Sequence, residues 1–173
     1  MTQTNRESIS HDEFKDYITR IIGSLKVYEK TVPNFKFESI ITFARGGLPP
    51  ATYIANALGI NKENFYVVTS NDASSFDHEE FRKLVRKKST LIIDDILDTC
   101  RTLQGFFEEL ETALFDAECK FAFLSIKEHD PGDNPHLLAI RGEIIERTVG
   151  LSNSCKVDRD VWIKFPWEVT EDE

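Results

Sequence analysis

The segment 91–103, LIIDDILDTCRTL, gathers the side chains of this sequence best suited to chemistry. An apolar run leads into two adjacent acids, Asp94 and Asp95. That pair alone fits several sites: the acidic strand of a nucleoside triphosphatase, a receiver-type acid pair, a magnesium site in a hydrolase, or two solvated acids where a strand stops. The next residues narrow the choice. Asp98, Thr99, Cys100, Arg101 and Thr102 fall between a strand and a helix start. Successive backbone N–H groups there, with two Thr hydroxyls and the helix dipole, form a cradle for an anion. One phosphomonoester fits such a loop, and Asp94 and Asp95 lie one short turn away, within reach of a ribose. Carboxylates accept hydrogen bonds from vicinal hydroxyls and hold Mg²⁺ directly or through water. A triphosphatase would also need GxxxxGK[ST], and the sequence has none.

The surrounding elements are read from periodicity. Residues 1–9 read as a loose polar tail. Ser10 and Glu13 form a capping box. Phe14, Tyr17, Ile18, Ile21, Ile22 and Leu25 then recur at helical spacing, predicting about four turns that end before Pro33. Ser39–Phe43 is a short β-rich run that breaks at Arg45-Gly46-Gly47. A helix opens at Pro49-Pro50 and stops at Gly59. Residues 65–69 form a strand and 71–80 a polar loop, followed by a basic stretch holding Leu84 and Val85. Residues 91–93 form a buried strand, 102–114 a helix and 121–126 a strand. Residues 128–142, with two prolines and two glycines, read as an excursion. Strands are expected at 143–149 and 161–165, and an acidic tail closes the sequence. There is no internal repeat. Strands alternating with helices, with Gly, Asp and Thr at the strand ends, predict an α/β fold on a largely parallel sheet. Such sheets bind ligands beyond the carboxyl ends of their strands.

The totals set limits. The 173 residues suffice for one domain with a proper core. Apolar and charged shares of 40% and 29% are those of a water-soluble globular protein. A net charge of -9 argues against non-specific nucleic-acid binding, which needs clustered cations. Cys100, Cys119 and Cys155 form no CxxC pair, so neither a disulfide framework nor a zinc site is suggested. The polar N-terminus lacks an apolar signal core, and no apolar run is long enough to cross a bilayer. The expectation is a cytoplasmic protein with no membrane and no nucleic-acid partner.

The thirteen residues of 91–103 resemble the signature of type I phosphoribosyltransferases: apolar-leaning residues, two acids, then a D-T-G-x-T phosphate loop. Where that signature has glycine, this sequence has Cys100, which would be strained if the position needs a glycine-only backbone angle. Three further stretches extend the resemblance, which is nearest to the xanthine-guanine (6-oxopurine) enzymes. Ala44-Arg45-Gly46-Gly47 resembles their pyrophosphate turn, where two glycines admit backbone amides and Arg45 adds a charge. By that resemblance the Ala44–Arg45 peptide is cis. Ser74-Ser75-Phe76-Asp77-His78 is similar to their mobile loop, with Arg82 at the place of a phosphate-contacting base. Lys127 and Trp162, with VWIKFPWE around the latter, resemble their base pocket.

The resemblance implies a single domain over 1–173, with a mostly parallel central sheet flanked by helices and a small base-binding hood from 127 to 173. It implies an enzyme that transfers the 5-phosphoribosyl group from phosphoribosyl pyrophosphate to guanine or xanthine, with hypoxanthine a further candidate. Asp98 is the candidate catalytic group, placed to take the purine N7 proton or to stabilise the developing positive base. The substrate site comprises Arg45, Gly46, Ser75, Arg82, Asp94, Asp95, Asp98, Thr99, Cys100, Arg101, Thr102, Lys127, Trp162 and the backbone near Ile163. Mg²⁺ is the implied cofactor, with Asp95 its ligand. Relatives are commonly dimers or tetramers, so a homo-oligomer is implied. Alternatives are a phosphoribosyltransferase for another base, a non-catalytic sensor of phosphoribosyl pyrophosphate that binds RNA or DNA, and a phosphatase or nuclease using Asp94 and Asp95. The last leaves the 98–102 loop and Lys127 unexplained.

Overall fold

A computed structural model describes residues 6–69, 79, 89–98, 100, 103, 119–128 and 135–168. Five strands form the main sheet: β2 (Ser39–Phe43), β3 (Phe65–Val68), β4 (Thr90–Leu97), β5 (Lys120–Lys127) and β6 (Cys155–Val157). Their order is β3-β2-β4-β5-β6, and every pairing is parallel. The α/β reading from sequence is therefore correct.

The central strands β2, β4 and β5 are buried on both faces over most of their length, as parallel strands usually are. Alternation along each strand sends side chains to two separate cores. Ile40, Leu91, Ile93, Ala122 and Leu124 face one side, and Ile41, Ile92, Phe121 and Phe123 face the other. The first face is covered by α1 (His11–Thr31) and α2 (Leu48–Leu58). Phe14, Ile18, Ile21 and Leu25 bury one stripe of α1. The predicted capping box is present: the Glu13 N–H donates to Ser10 Oγ, and the Ser10 N–H donates back to Glu13 at 2.8 Å. The helix has 21 residues, longer than the expected four turns, because its amphipathic stripe continues through Tyr28, which packs on the same core. Gly59 closes α2 in the left-handed conformation that glycine adopts without a Cβ clash.

The other face is covered by α3 (Pro135–Glu146), which corrects two expectations. Residues 135–142 are not an irregular excursion, and 143–149 is not a strand. Proline is tolerated in a first helical turn, and Gly142 lies on the solvent side. Ile140 and Ile144, one turn apart, anchor the helix in the core. Only Thr148 of the expected strand pairs, in an isolated bridge to Phe121.

The N-terminal expectation also needs correction. Residues 6–8 are not part of a loose tail: they form β1 (Arg6–Ser8), paired in parallel with β7 (Trp162–Lys164) in a second, two-stranded sheet. A polar strand paired to a segment more than 150 residues away carries no hydrophobic period of its own, so it is silent in sequence. The helix expected over 102–114 lies outside the described residues apart from Leu103.

Candidate active site

β2 and β4 separate at their carboxyl ends. The β2–β4 ladder stops at Thr42 and Ile93, whereas β4 runs on beside β5 to Leu97 and Ile126. Asp94 and Asp95 therefore lie inside β4 rather than beyond its end, because β5 keeps pairing with that stretch after β2 has turned away. The turn 44–47 occupies the step this opens. It includes the cis Ala44–Arg45 peptide that the resemblance implies, and Arg45 is exposed. A Cβ on Gly46 would lie 2.0 Å from Asp95 Oδ2. One on Gly47 would lie 2.6 Å from Thr42 Oγ1 and 3.0 Å from Asp94 Oδ1. Both glycines are thus required by close approach: bare backbone lies against two carboxylates.

The two acids are poorly solvated. Burial pushes Asp94 well above the usual carboxylate range, and the Asp95 charge adds to it. Burial also raises Asp95, opposed by its bonding to Asp94 and by the Ile96 N–H, which donates at 2.8 Å. The Glu168 charge adds a smaller upward push on Asp95. Such carboxylates gain from hydroxyl donors or a cation. Among the described residues no group of three His, Cys, Asp or Glu side chains gathers. A Mg²⁺ arriving with a phosphate ligand asks for less, since it commonly binds through one or two carboxylates plus the phosphates. The hard oxygen donors of Asp95 and Asp94 fit that requirement.

Beyond β4, Asp98 and Cys100 are described, whereas Thr99, Arg101 and Thr102 of the predicted cradle lie outside the described residues. Cys100 has φ 61°, the left-handed region. The position does favour glycine, and a Cys there carries a strain of about 1–2 kcal/mol. Its side chain is buried with Leu103 in the α3-side core. Burial raises its thiol pKa, and the nearby Arg141 guanidinium partly offsets that rise.

At the next strand the fold joins two residues that the sequence separates by 29 positions. Lys127 ends β5, and its Nζ lies 3.2 Å from Asp98 Oδ2. The lysine side chain is 10% exposed and the aspartate 42%. The candidate base-reading lysine thus sits on the candidate catalytic acid.

Arg141 was missed in the sequence. It is buried on α3, and Nη1 donates to the carbonyls of Leu97 at 3.4 Å and Asp98 at 2.8 Å. Nη2 donates to the carbonyl of Lys127. The available signal was a lone arginine in the apolar run LLAIRGEII. Glu168 was missed as well, as an acid directly after the WIKFPW run.

The other predicted residues are more scattered. Trp162 is 54% exposed, on β7 in the second sheet, whereas Lys127 lies on a strand of the main sheet. The Ile163 side chain is buried in the α1-side core, with its backbone at the register position of Glu7. Trp167 stacks on Phe165 at 4.8 Å and meets the Phe14 ring edge-on, which fastens this C-terminal segment to α1. Ser75 and Arg82 lie outside the described residues.

A parallel α/β domain with acids and a lysine gathered at the carboxyl ends of neighbouring strands defines the class. The family follows from comparison. Residues 10–115, more than half of the chain, match the model of the phosphoribosyl transferase domain. The chain belongs to that family and is a phosphoribosyltransferase. Solved structures share the fold at low identity. A purine phosphoribosyltransferase from Pyrococcus horikoshii Ot3 is 21% identical, with 96% of each chain covered and a TM-score of 0.57. A hypothetical protein from Neisseria gonorrhoeae with bound ppGpp is 19% identical, covering 99% of this chain and 93% of its own, with a TM-score of 0.63. A xanthine-guanine-hypoxanthine phosphoribosyltransferase from Helicobacter pylori is 16% identical, with 95% of each chain covered and a TM-score of 0.56.

Proposed function

We propose that this protein transfers the 5-phosphoribosyl group from phosphoribosyl pyrophosphate to a 6-oxopurine, giving the nucleoside monophosphate and pyrophosphate. The observation that carries the reading is the contact between Asp98 and Lys127. It joins the end of the phosphate loop to a lysine that can donate to a 6-oxygen, so sugar-phosphate and base sites meet at one point. The purine and xanthine-guanine-hypoxanthine enzymes that share the fold lend the same acceptor class as a precedent.

In this reading the 98–102 segment, with Thr99, Cys100, Arg101 and Thr102, binds the 5′-phosphate. Asp94 and Asp95 accept hydrogen bonds from the ribose hydroxyls. Arg45, the Gly46 backbone, Ser75 and Arg82 bind the pyrophosphate. Asp95, with Asp94 beside it, would hold a Mg²⁺ ion, which when bound would supply charge neutralisation for the leaving pyrophosphate. The anomeric carbon–oxygen bond breaks with oxocarbenium character, and a purine ring nitrogen attacks. Asp98 accepts the N7 proton, or stabilises the positive charge developing on the base if the proton leaves later. For either role Lys127 must leave Asp98 and turn to the 6-oxygen. Adenine presents a donor there and leaves the buried lysine unpaired, which rejects it. Trp162 stacks on the base and the backbone near Ile163 reads its 2-position, both within the 127–173 stretch that carries the hood. The protein works in the cytoplasm as a homo-oligomer of one-domain chains. No helix among the described residues is long and apolar enough to cross a membrane.

The test is product detection with labelled phosphoribosyl pyrophosphate, Mg²⁺ and a panel of bases. Nucleotide should form with guanine, xanthine or hypoxanthine and not with adenine or a pyrimidine. Transfer to adenine or to a pyrimidine alone would reject the base assignment. Binding of phosphoribosyl pyrophosphate with no transfer to any base would mark a sensor instead.

A further inference from the structure

α3 packs over the ends of β4 and β5 and places one guanidinium between them. Ile140 and Ile144 seat the helix in the core. Arg141, on the same side, is 8% exposed. Its two terminal nitrogens reach carbonyls on both strand ends: Leu97 and Asp98 from β4 and its exit, and Lys127 from β5. These carbonyls lie where the strands leave the ladder, so they need donors from elsewhere. Arginine suits the place because its donors form a rigid planar fork, whereas an ammonium is a single point. The two residues whose main chains are tied in this way are also the two whose side chains pair at 3.2 Å. Cys100 belongs to the same cluster, with its Sγ 4.0 Å from the Asp98 carbonyl that Arg141 holds.

We infer that Arg141 is a positioning residue: by fastening the Asp98 and Lys127 main chains to one guanidinium, it fixes the distance between the proton acceptor and the base-reading lysine. This rests on the functional reading above and extends it to a residue outside the 91–103 signature. Arg141 touches neither substrate in this account. It acts through Lys127 and Asp98, so its loss should affect the base more than the sugar-phosphate.

A double-mutant cycle separates this role from a merely structural one. Arg141→Lys keeps the charge but cannot bridge the carbonyls as a fork. The single variant should bind phosphoribosyl pyrophosphate within about threefold of wild type in calorimetry, while KM for guanine rises about tenfold. In a Lys127→Ala background the same change should have little further effect on that KM, because the side chain being positioned is already gone. Equal factors in both backgrounds, or a uniform loss of binding and turnover, would overturn the role. Should Arg141→Lys not fold, Arg141→Gln, whose amide keeps two N–H donors, replaces it. If neither folds, the guanidinium is a requirement of the fold, and the positioning role is overturned. A wild-type chain that forms no nucleotide with any 6-oxopurine would overturn the functional reading and this role with it. A turning-over wild type with additive effects would overturn this role alone.

Discussion

The carboxyl ends of β4 and β5 lie side by side but are built in opposite ways. At β4 the functional groups are consecutive in sequence: Asp94, Asp95, Asp98 and the loop after them. Their geometry is local, with the Asp95 N–H donating to Asp94 Oδ1 at 3.0 Å and the Ile96 N–H to Asp95. At β5 a single residue, Lys127, carries the proposed base reading, and its surroundings come from Asp98 and from Arg141 on α3. The first end is a motif, and the second is an assembly that exists only once the sheet has formed. Damage at the β4 end should therefore affect the sugar, the metal and the chemistry. Damage at the β5 end should affect selection of the base.

The sharpest test of that division is Asp98, which belongs to both ends. Asp98→Asn keeps the shape and removes the proton acceptor, so turnover should fall by about 100-fold or more. Affinity for phosphoribosyl pyrophosphate, measured by calorimetry, should change little. Unchanged turnover would remove Asp98 as the acceptor. At the β5 end, Lys127→Ala removes one charged hydrogen bond to the base. KM for guanine should rise roughly 10- to 100-fold, with the KM for phosphoribosyl pyrophosphate nearly constant. Equal rises in steady-state kinetics would place Lys127 outside the base pocket.

At the β4 end, Gly46→Ala forces a methyl into the space of the Asp95 carboxylate. A stability loss of about 1–3 kcal/mol in urea unfolding is expected, together with weaker binding of the sugar-phosphate. A variant as stable and as tightly binding as wild type would show that the 44–47 turn does not hold Asp95 in place. The smallest effect, and one of opposite sign, belongs to Asp94. Its pKa is raised in the folded state, so the folded chain binds the proton more tightly than the unfolded one. Stability is therefore lost as pH rises from the ordinary carboxylate range through the raised value. Above that value the whole cost of the buried charge is present. Asp94→Asn should melt higher than wild type at pH 8, and the difference should shrink as pH falls toward 4. A variant that melts lower at pH 8 would show that the carboxylate is stabilised by partners rather than strained by burial.

The contrast between the ends also decides what could be read beforehand. At the β4 end the strand was legible, because an apolar run leads directly into the two acids, whereas the expected anion loop at 98–102 lies mostly outside the described residues. Gly46 and Gly47 were legible as a turn, though not the carboxylates that demand them, since those come from the neighbouring strand. Cys100 was legible as a departure from the signature, and its positive φ shows what the departure costs. Arg141 and Glu168 were not legible. A buried arginine bonded to carbonyls leaves no spacing pattern, and α3 was hidden by its proline and glycine. β1 was unreadable for a related reason: its pairing to β7 is made by backbone groups, which every residue has. The exposed position of Trp162 on the second sheet was equally beyond reach, because it depends on that pairing.

The central claim is that the two strand ends make one site, with β4 holding the sugar-phosphate and β5 reading the base. A crystal structure with guanosine 5′-monophosphate and Mg²⁺ tests it most directly. The phosphate should lie at 98–102, the ribose hydroxyls on Asp94 and Asp95, and Lys127 Nζ should have moved from Asp98 to the purine 6-oxygen. A nucleotide bound with its base away from Lys127, or Lys127 still paired with Asp98 beneath a bound base, would contradict it.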